Sequence, residues 1–165
     1  MKSNGSVYVA AVIAALAAYF TYQWWFNPAR AIKQRLGQVA AALSVPAPDS
    51  DIARLERLAA LRRYLADEVR VDLAGAQPVA SREAVLAVVA SMRPPGGAVD
   101  VQFVDTQVNV ESSSSGRAYL TVEVTTSDRT GQPAVDSRDA IVTLARRGGE
   151  RLITSVESRA IPTRP

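Results

Sequence analysis

The feature that most constrains the fold is a strand pattern that runs from residue 99 to residue 161. Apolar and polar side chains alternate there with the period of two that is typical of a half-buried strand. The alternation marks four segments, which are residues 99–110, 118–125, 140–144 and 152–161. It slips by one position at Phe103-Val104, which predicts a β-bulge, and Gly148-Gly149 predicts a tight hairpin turn. We therefore predict one antiparallel sheet with two chemically different faces.

Two amphipathic helices are predicted ahead of this sheet. Asn27-Pro28 is a typical helix start, and apolar residues at helical spacing follow it over about residues 29–43. Asp49 or Ser50 is the expected N-cap of the second helix. The apolar stripe of the second helix, which we expect to be buried, is Ile52, Leu55, Leu58, Leu61 and Leu65.

A short strand and a third helix complete the predicted elements. Residues 68–73 alternate as a strand, and Ser81 begins a helix over about residues 82–92. Because this helix is apolar on several sides, we expect neighbouring elements to cover it. The residues predicted to form the core are Leu58, Leu61, Val85, Val89, Leu120, Val122 and Val142.

Composition excludes several kinds of chemistry. The chain has neither Cys nor His, so it lacks disulfides, thiol nucleophiles and the commonest general base near neutral pH. Its acidic residues do not show calcium-loop spacing, and we therefore predict no metal and no cofactor. A net charge of +3 is too balanced to imply a polyanionic partner. The second helix carries arginines opposite its apolar stripe, and we predict a solvated face there because acidic residues lie among them. These arginines are Arg54, Arg57, Arg62 and Arg63. No aromatic residues interleave with them, so nucleic acid is not an expected partner.

The N-terminal region carries the clearest localisation signal. Residues 3–29 are uncharged, and residues 7–26 are mostly apolar with aromatic residues at their C-terminal end. About 20 helical residues span the hydrocarbon core of a bilayer, and aromatic side chains suit its headgroup region. We therefore predict a single-pass transmembrane anchor over residues 1–26. The alternative is a cleaved signal peptide with a small-residue site at Ala15-Leu16-Ala17.

Two signals conflict on the side of the membrane. Arg30, Lys33 and Arg35 follow the apolar stretch and only Lys2 precedes it, so the positive-inside rule favours a cytoplasmic domain. A short N-terminal tail ahead of a single anchor instead favours export of the following domain. We predict a bacterial inner-membrane protein with its domain in the periplasm, and the cytoplasmic orientation stays open.

The order of the elements resembles the nuclear transport factor 2-like (NTF2-like) superfamily, which includes SnoaL-like cyclases, ketosteroid isomerases and scytalone dehydratases. The resemblance covers about residues 27–161 and includes Arg62-Arg63-Tyr64-Leu65 and Ser81-Arg82-Glu83-Ala84-Val85. It implies an α+β domain in which three helices pack on a curved antiparallel sheet to form a cone around a pocket. The predicted organisation is an anchor over residues 1–26, an NTF2-like domain over 27–161 and a tail over 162–165.

The resemblance assigns no catalytic residue. Dehydratase members use a His–Asp arrangement, which a chain without His cannot form. Isomerase members use a tyrosine with two aspartates, but no motif matches those positions here. We expect the candidate aspartates to face water, where a carboxylate with a pKa near 4 is a weak base. These aspartates are Asp67, Asp72, Asp100, Asp105 and Asp139.

Tyr64 and Arg138 are the predicted ligand-binding residues. Tyr64 stands near the end of the second helix, and Arg138 shares a strand face with the apolar residues that follow it. An arginine at the mouth of the cone would bind an anion. The alternative for Arg138 is an ion pair with Asp136, or with Glu157 or Asp105 on a neighbouring strand.

Three functions are compatible with this pattern. The leading hypothesis is a non-catalytic domain that binds a small apolar ligand or a partner near the membrane. The second is an acid–base enzyme of the isomerase or cyclase type, and the third is a self-association domain that dimerises through the outer face of the sheet. That face carries Tyr119, Thr121, Glu123 and Thr125, which suit a solvated surface or a wet interface.

Overall fold

The computed structural model describes residues 12–19, 27–47, 49–92, 98–127 and 131–159, with the backbone alone for residue 159. From residue 27 onward the elements in chain order are α1 (Pro28–Leu43), α2 (Asp51–Tyr64), β1 (Leu65–Asp72), β2 (Val79–Ala80), α3 (Arg82–Ser91), β3 (Val99–Val110), β4 (Ser115–Ser127), β5 (Pro133–Arg147) and β6 (Glu150–Arg159).

The strands form one sheet in the order β2-β1-β6-β5-β4-β3. Strands β3 to β6 pair antiparallel, as predicted, but β1 pairs parallel with β6. The prediction of a wholly antiparallel sheet is therefore wrong. Parallel neighbours need a long connection, which here is the chain from β2 to β5. Side-chain alternation indicates which face of the sheet a residue occupies but not the direction of the neighbouring strand. The sequence pattern therefore could not distinguish a parallel from an antiparallel neighbour of β1.

The local irregularities of the sheet lie where the sequence places them. The β3–β4 register shifts between Val104 and Gln107, and Asp105 has a φ of 50°. This confirms the predicted bulge, since an extra residue in one strand lets the pairing resume on the correct face. Gly148 and Gly149 have φ values of 57° and 90°, which a two-residue hairpin turn of type I′ requires at both positions.

Side-chain caps fix where the helices begin. Asn27 Oδ1 accepts a hydrogen bond from the Ala29 amide at 3.0 Å, and Pro28 occupies the first helical turn. Ser50 and Ser81 accept from the amides three residues ahead, at 3.1 and 3.2 Å. Each cap satisfies an amide that has no partner inside its helix.

The core lies between α1 and the concave face of the sheet. Ile32, Leu36 and Val39 are buried against apolar side chains of four strands. Those strand residues are Leu65, Val69, Ala118, Leu120, Ala140, Val142, Leu144 and Ile153. Gly116 keeps α1 close to β4, because a Cβ at this position would lie 2.6 Å from Ile32 Cδ1. The chain's own side chains therefore fill this part of the cone.

The structure corrects the predicted covering of α2 and α3. Ile52 and Leu55, at the start of the predicted α2 stripe, are 72% and 67% exposed, and Leu61 is the buried residue of the helix. No residue of α3 is buried. Among the predicted core residues, Leu61, Leu120 and Val142 are buried, and Leu58, Val85, Val89 and Val122 are half-buried. These side chains are more exposed than predicted because α2 and α3 lie at the margin of the domain, with solvent on one side.

Most of the predicted anchor lies outside the described residues. Residues 12–19 are helical and exposed. None of the helices formed by the described residues is long and apolar enough to cross a membrane. The predicted tail, residues 162–165, also lies outside the described part of the chain.

Candidate functional site

A groove of about 500 Å³ lies between the C-terminal half of α1 and α2, and we call it the α1–α2 groove. Its α1 side is formed by Gln38, Ala41 and Ala42, and its α2 side by Ala53, Arg57, Ala60 and Tyr64. The α2 residues are four, three and four positions apart, which places them on one stripe of the helix. Two alanines on each side, Ala41 and Ala42 on α1 and Ala53 and Ala60 on α2, leave the space between the two helices unfilled.

Arg57 is fixed in the wall of the groove by Asp49. Arg57 Nη2 donates to Asp49 Oδ1 at 2.7 Å, and Arg54 donates to Asp49 Oδ2 from Nη2 at 3.0 Å and from Nε at 3.3 Å. The side chains of Asp49 and Arg57 are each 16% exposed. The hydrogen bond from Arg57 is the largest cause that lowers the pKa of the Asp49 carboxyl below its ordinary value, against the opposing effect of burial.

Arg57 also has a donor that this pair does not use. Its Nη1 atom is buried and forms no hydrogen bond with any described residue. Buried polar atoms of proteins are nearly always hydrogen-bonded, so an unpaired donor marks a place where another group can bind. Arg57 thus combines a fixed position with spare capacity for a hydrogen-bond acceptor.

Tyr64, one of the two predicted ligand-binding residues, lines the same groove. The guanidinium carbon of Arg35 lies 5.1 Å from the centroid of its ring, within the range of a cation–π interaction. Arg35 also reaches Glu150, with 3.9 Å between Nη2 and Oε2. The aromatic ring is therefore held at the end of α2 by contacts with α1.

Arg138, the other predicted ligand-binding residue, lies elsewhere. Its Nε is 3.1 Å from Asp136 Oδ2 on the same strand, and the Arg138 side chain is half exposed. This is the first of the ion pairs that the sequence allowed. Arg138 is six positions along β5 from Leu144, or about 20 Å. Leu144 and Leu65 both pair with Ile153, so they lie at the same level of the sheet. Tyr64 directly precedes Leu65 and therefore lies near Leu144. The structure thus separates Tyr64 from Arg138.

The five candidate aspartates are exposed, as their positions predicted. Asp67 forms an ion pair with Arg82, and Asp139 accepts a hydrogen bond from Thr121 Oγ1 at 2.9 Å. None of the five lines the α1–α2 groove as the structure describes it; the carboxylate there is Glu56, which is also exposed. Within the described ranges there is no group of three acidic residues that could hold a metal ion.

A smaller hollow of about 320 Å³ lies between α1 and the bulge of β3. Lys33 and Gly37 line it from α1, and Phe103 and Thr106 line it from β3. It has no arginine comparable to Arg57 and no contact with Tyr64, so the α1–α2 groove is the better candidate for a binding site.

The sequence pattern predicts Arg54 and Arg57 on a solvated face and Asp49 only as a possible helix cap. The signal that could have identified Arg57 is its spacing from Ala53, Ala60 and Tyr64, because a stripe of small residues with one arginine is a poor core face. No pattern indicated the contact with Asp49, since it depends on how the loop before α2 folds back.

The chain matches no protein-family model and no sequence among the curated proteins. Its structure is similar to solved structures. An NTF2-like protein with a cystatin-like fold from Novosphingobium aromaticivorans is 12% identical, covers 99% of this chain and 94% of its own, and gives a TM-score of 0.67. Aln2 from a Streptomyces species is 14% identical over 81% of this chain and 91% of its own, with a TM-score of 0.65.

An enzyme is also among these neighbours. The hexachlorocyclohexane dehydrochlorinase LinA-type3 from Novosphingobium barchaimii is 12% identical over 79% of this chain and 84% of its own, with a TM-score of 0.62. Such low identities show the fold alone. The chain therefore has the NTF2-like fold, a mixed α+β cone with a curved sheet.

Proposed function

We propose that this protein is a membrane-tethered NTF2-like domain that binds a small, mostly apolar molecule in the α1–α2 groove. The observation that carries the proposal is Arg57, which Asp49 fixes in a groove that four alanine side chains also line. The alanines offer an apolar surface, and Arg57 offers a charged donor to one acidic end of the ligand. Tyr64 adds an aromatic surface at the end of the same stripe.

Binding without catalysis is the function that the side chains favour. General acid–base catalysis near neutral pH needs a group whose pKa lies in that range, and the chain has no His. A carboxylate reaches that range through burial, whereas Glu56 and the five aspartates are exposed. The similarity to a dehydrochlorinase keeps an acid–base enzyme of the isomerase or cyclase type as the alternative. Turnover of a bound ligand would establish that alternative.

Two variants of neighbouring alanines test the groove. The ligand probe is 8-anilinonaphthalene-1-sulfonate, which joins an apolar body to one anionic group. The domain beginning at Asn27 suits this titration, because its hydrophobic core lies wholly within residues 32–156. Ala60→Phe fills the groove and should abolish the binding that fluorescence reports. Ala59→Phe, one position away on the exposed side of α2, should leave it unchanged. Equal binding by both variants would contradict the proposal.

The role of Arg57 has its own test. N-phenyl-1-naphthylamine has the same apolar body without the sulfonate. Arg57→Gln should weaken binding of the sulfonate probe severalfold and leave the uncharged probe unchanged, since a charge-assisted hydrogen bond is lost only in the first case. The exposed Arg63→Gln is the matched control. Equal weakening of both probes would mean that the substitution acts through the shape of the groove.

The membrane part of the proposal rests on the uncharged residues 3–29. The full chain should stay in the membrane fraction after carbonate extraction, and an alkaline phosphatase fusion at Pro165 should be active if the domain is periplasmic. A full chain found in the soluble fraction and cut near Ala17 would establish a signal peptide instead. Self-association through the outer sheet face, the third hypothesis, would appear as a dimer that Tyr119→Glu disrupts.

A further inference from the structure

The turn between β3 and β4 and the turn between β5 and β6 lie together at one end of the sheet, which we call the hairpin end. The Arg146 amide donates to the Ser114 carbonyl at 2.6 Å. Arg151 Nη2 lies 3.4 Å from the Ser113 carbonyl oxygen. These contacts join the two turns into one surface.

Arginine predominates at the hairpin end. Five arginines and three glutamates meet there: Arg35, Arg117, Arg146, Arg147, Arg151, Glu68, Glu111 and Glu150. Each glutamate takes one arginine, with distances of 3.9 Å for Arg35–Glu150, 3.4 Å for Arg117–Glu111 and 2.9 Å for Arg147–Glu68. Within the described part of the chain, Arg146 and Arg151 have no carboxylate partner and contact only carbonyl oxygens.

These two arginines stand directly opposite each other, as Cα partners on β5 and β6. Like charges at opposed positions of neighbouring strands destabilise a sheet. An anionic oxygen between the two guanidinium groups would offset this repulsion. The arrangement therefore favours an anion at the hairpin end.

Helix α1 begins at this same end. Ile32 of α1 lies against Gly116, next to the β3–β4 turn, and Arg35 reaches Glu150 beside the other turn. Asn27 precedes Ile32 by five residues, or about 7 Å of helix. The N-terminus of α1, to which the apolar residues 7–26 are joined in sequence, therefore lies at the hairpin end.

We infer that the hairpin end docks on a bilayer surface that contains anionic lipid, with headgroup phosphates bound between Arg146 and Arg151. This inference rests on the membrane tether of the proposed function. A tether of few residues holds the domain close to the headgroups, and each basic side chain near an anionic surface strengthens the contact about fivefold. The tether determines which end of the domain faces the bilayer. The arginines make the strength of the contact depend on the charge of the lipids.

Single labels test the inference in the full chain. Because the chain has no Cys, Ser113→Cys and Ser137→Cys each give one labelling site, at the hairpin end and towards the opposite end of the sheet. The protein is reconstituted into nanodiscs of phosphatidylcholine alone or of an equal mixture with phosphatidylglycerol. A nitroxide on the lipid headgroups quenches a fluorophore that lies close to the surface. Quenching at Ser113→Cys should increase with phosphatidylglycerol and fall with added salt, and quenching at Ser137→Cys should change little.

Two arginines of one strand provide the matched variants. Arg146→Gln should lower the docking equilibrium about fivefold in the mixed nanodiscs. Arg138→Gln, eight positions away on β5, should leave it unchanged. Stable insertion into both nanodiscs with no lipid-dependent quenching would overturn the docking inference and keep the tether. A chain that inserts into neither nanodisc would overturn both. Equal effects of Arg146→Gln and Arg138→Gln would show that net charge alone, rather than the hairpin end, drives the contact.

Discussion

Helices α1 and α2 begin in the same way and contribute differently to the protein. Both have a polar N-cap and an apolar stripe at helical spacing. Ile32, Leu36 and Val39 of α1 are buried against the sheet, whereas Ile52 and Leu55 of α2 are largely exposed. The difference arises because α1 crosses the concave face of the sheet, while α2 lies beside α1 at the margin. We conclude that α1 builds the core and that α2 forms one wall of a groove.

The largest effect on stability should come from truncating a buried apolar side chain of α1. Leu36 is 2% exposed, so Leu36→Ala removes buried apolar surface and leaves a cavity. We expect a loss of about 2–5 kcal/mol in the free energy of unfolding, measured by denaturant titration. A loss below about 0.5 kcal/mol would contradict the placement of α1 in the core.

An intermediate effect on stability should come from replacing Asp49, whose side chain links the start of α2 to the groove wall. Because its pKa is lowered in the folded state, the carboxylate contributes stability above its unfolded pKa of about 4, and that contribution is lost as the pH falls through the folded value. Asp49→Asn should therefore be less stable than the wild type at neutral pH, and the two should converge as the solution is acidified below about pH 4. Unfolding curves across this pH range measure the difference. A constant difference at every pH would mean that the carboxylate charge is irrelevant.

The smallest effect should come from the exposed part of α2. Leu55 is 67% exposed, and Leu55→Ala should change the free energy of unfolding by no more than about 0.5 kcal/mol. The same denaturant titration serves, with Leu36→Ala as the reference. A loss as large as that of Leu36→Ala would show that another part of the protein, or a second copy, covers this face.

Sequence alone predicted much of the fold, because its signals are local. The caps at Asn27, Ser50 and Ser81, the bulge near Phe103 and the turn at Gly148-Gly149 each depend on a few neighbouring residues. Alternation also identified the buried face of β5. The parallel partner of β1 and the exposure of Ile52 could not be predicted, since both depend on which element lies alongside.

The candidate site was predicted only in part, for the same reason. Tyr64 was identified through a family resemblance and lines the α1–α2 groove. Arg138 was identified through the face it shares with the core residues of β5, but it pairs with Asp136 and does not line the α1–α2 groove. Arg57 was assigned to a solvated face because charge patterns on a helix do not show that a loop residue, Asp49, will fold back onto it.

Alanine methyl groups can show directly whether a ligand binds between α1 and α2 or inside the cone. Ala41, Ala53 and Ala60 line the groove, whereas Ala118 and Ala140 belong to the buried core. With the methyl groups of alanine labelled with ¹³C in the domain beginning at Asn27, 8-anilinonaphthalene-1-sulfonate is titrated and the methyl resonances are followed by NMR. We expect saturable shifts at Ala41, Ala53 and Ala60, with the resonances of Ala118 and Ala140 unchanged. Shifts centred on Ala118 and Ala140 would instead place the ligand inside the cone, and binding in the α1–α2 groove would then be wrong.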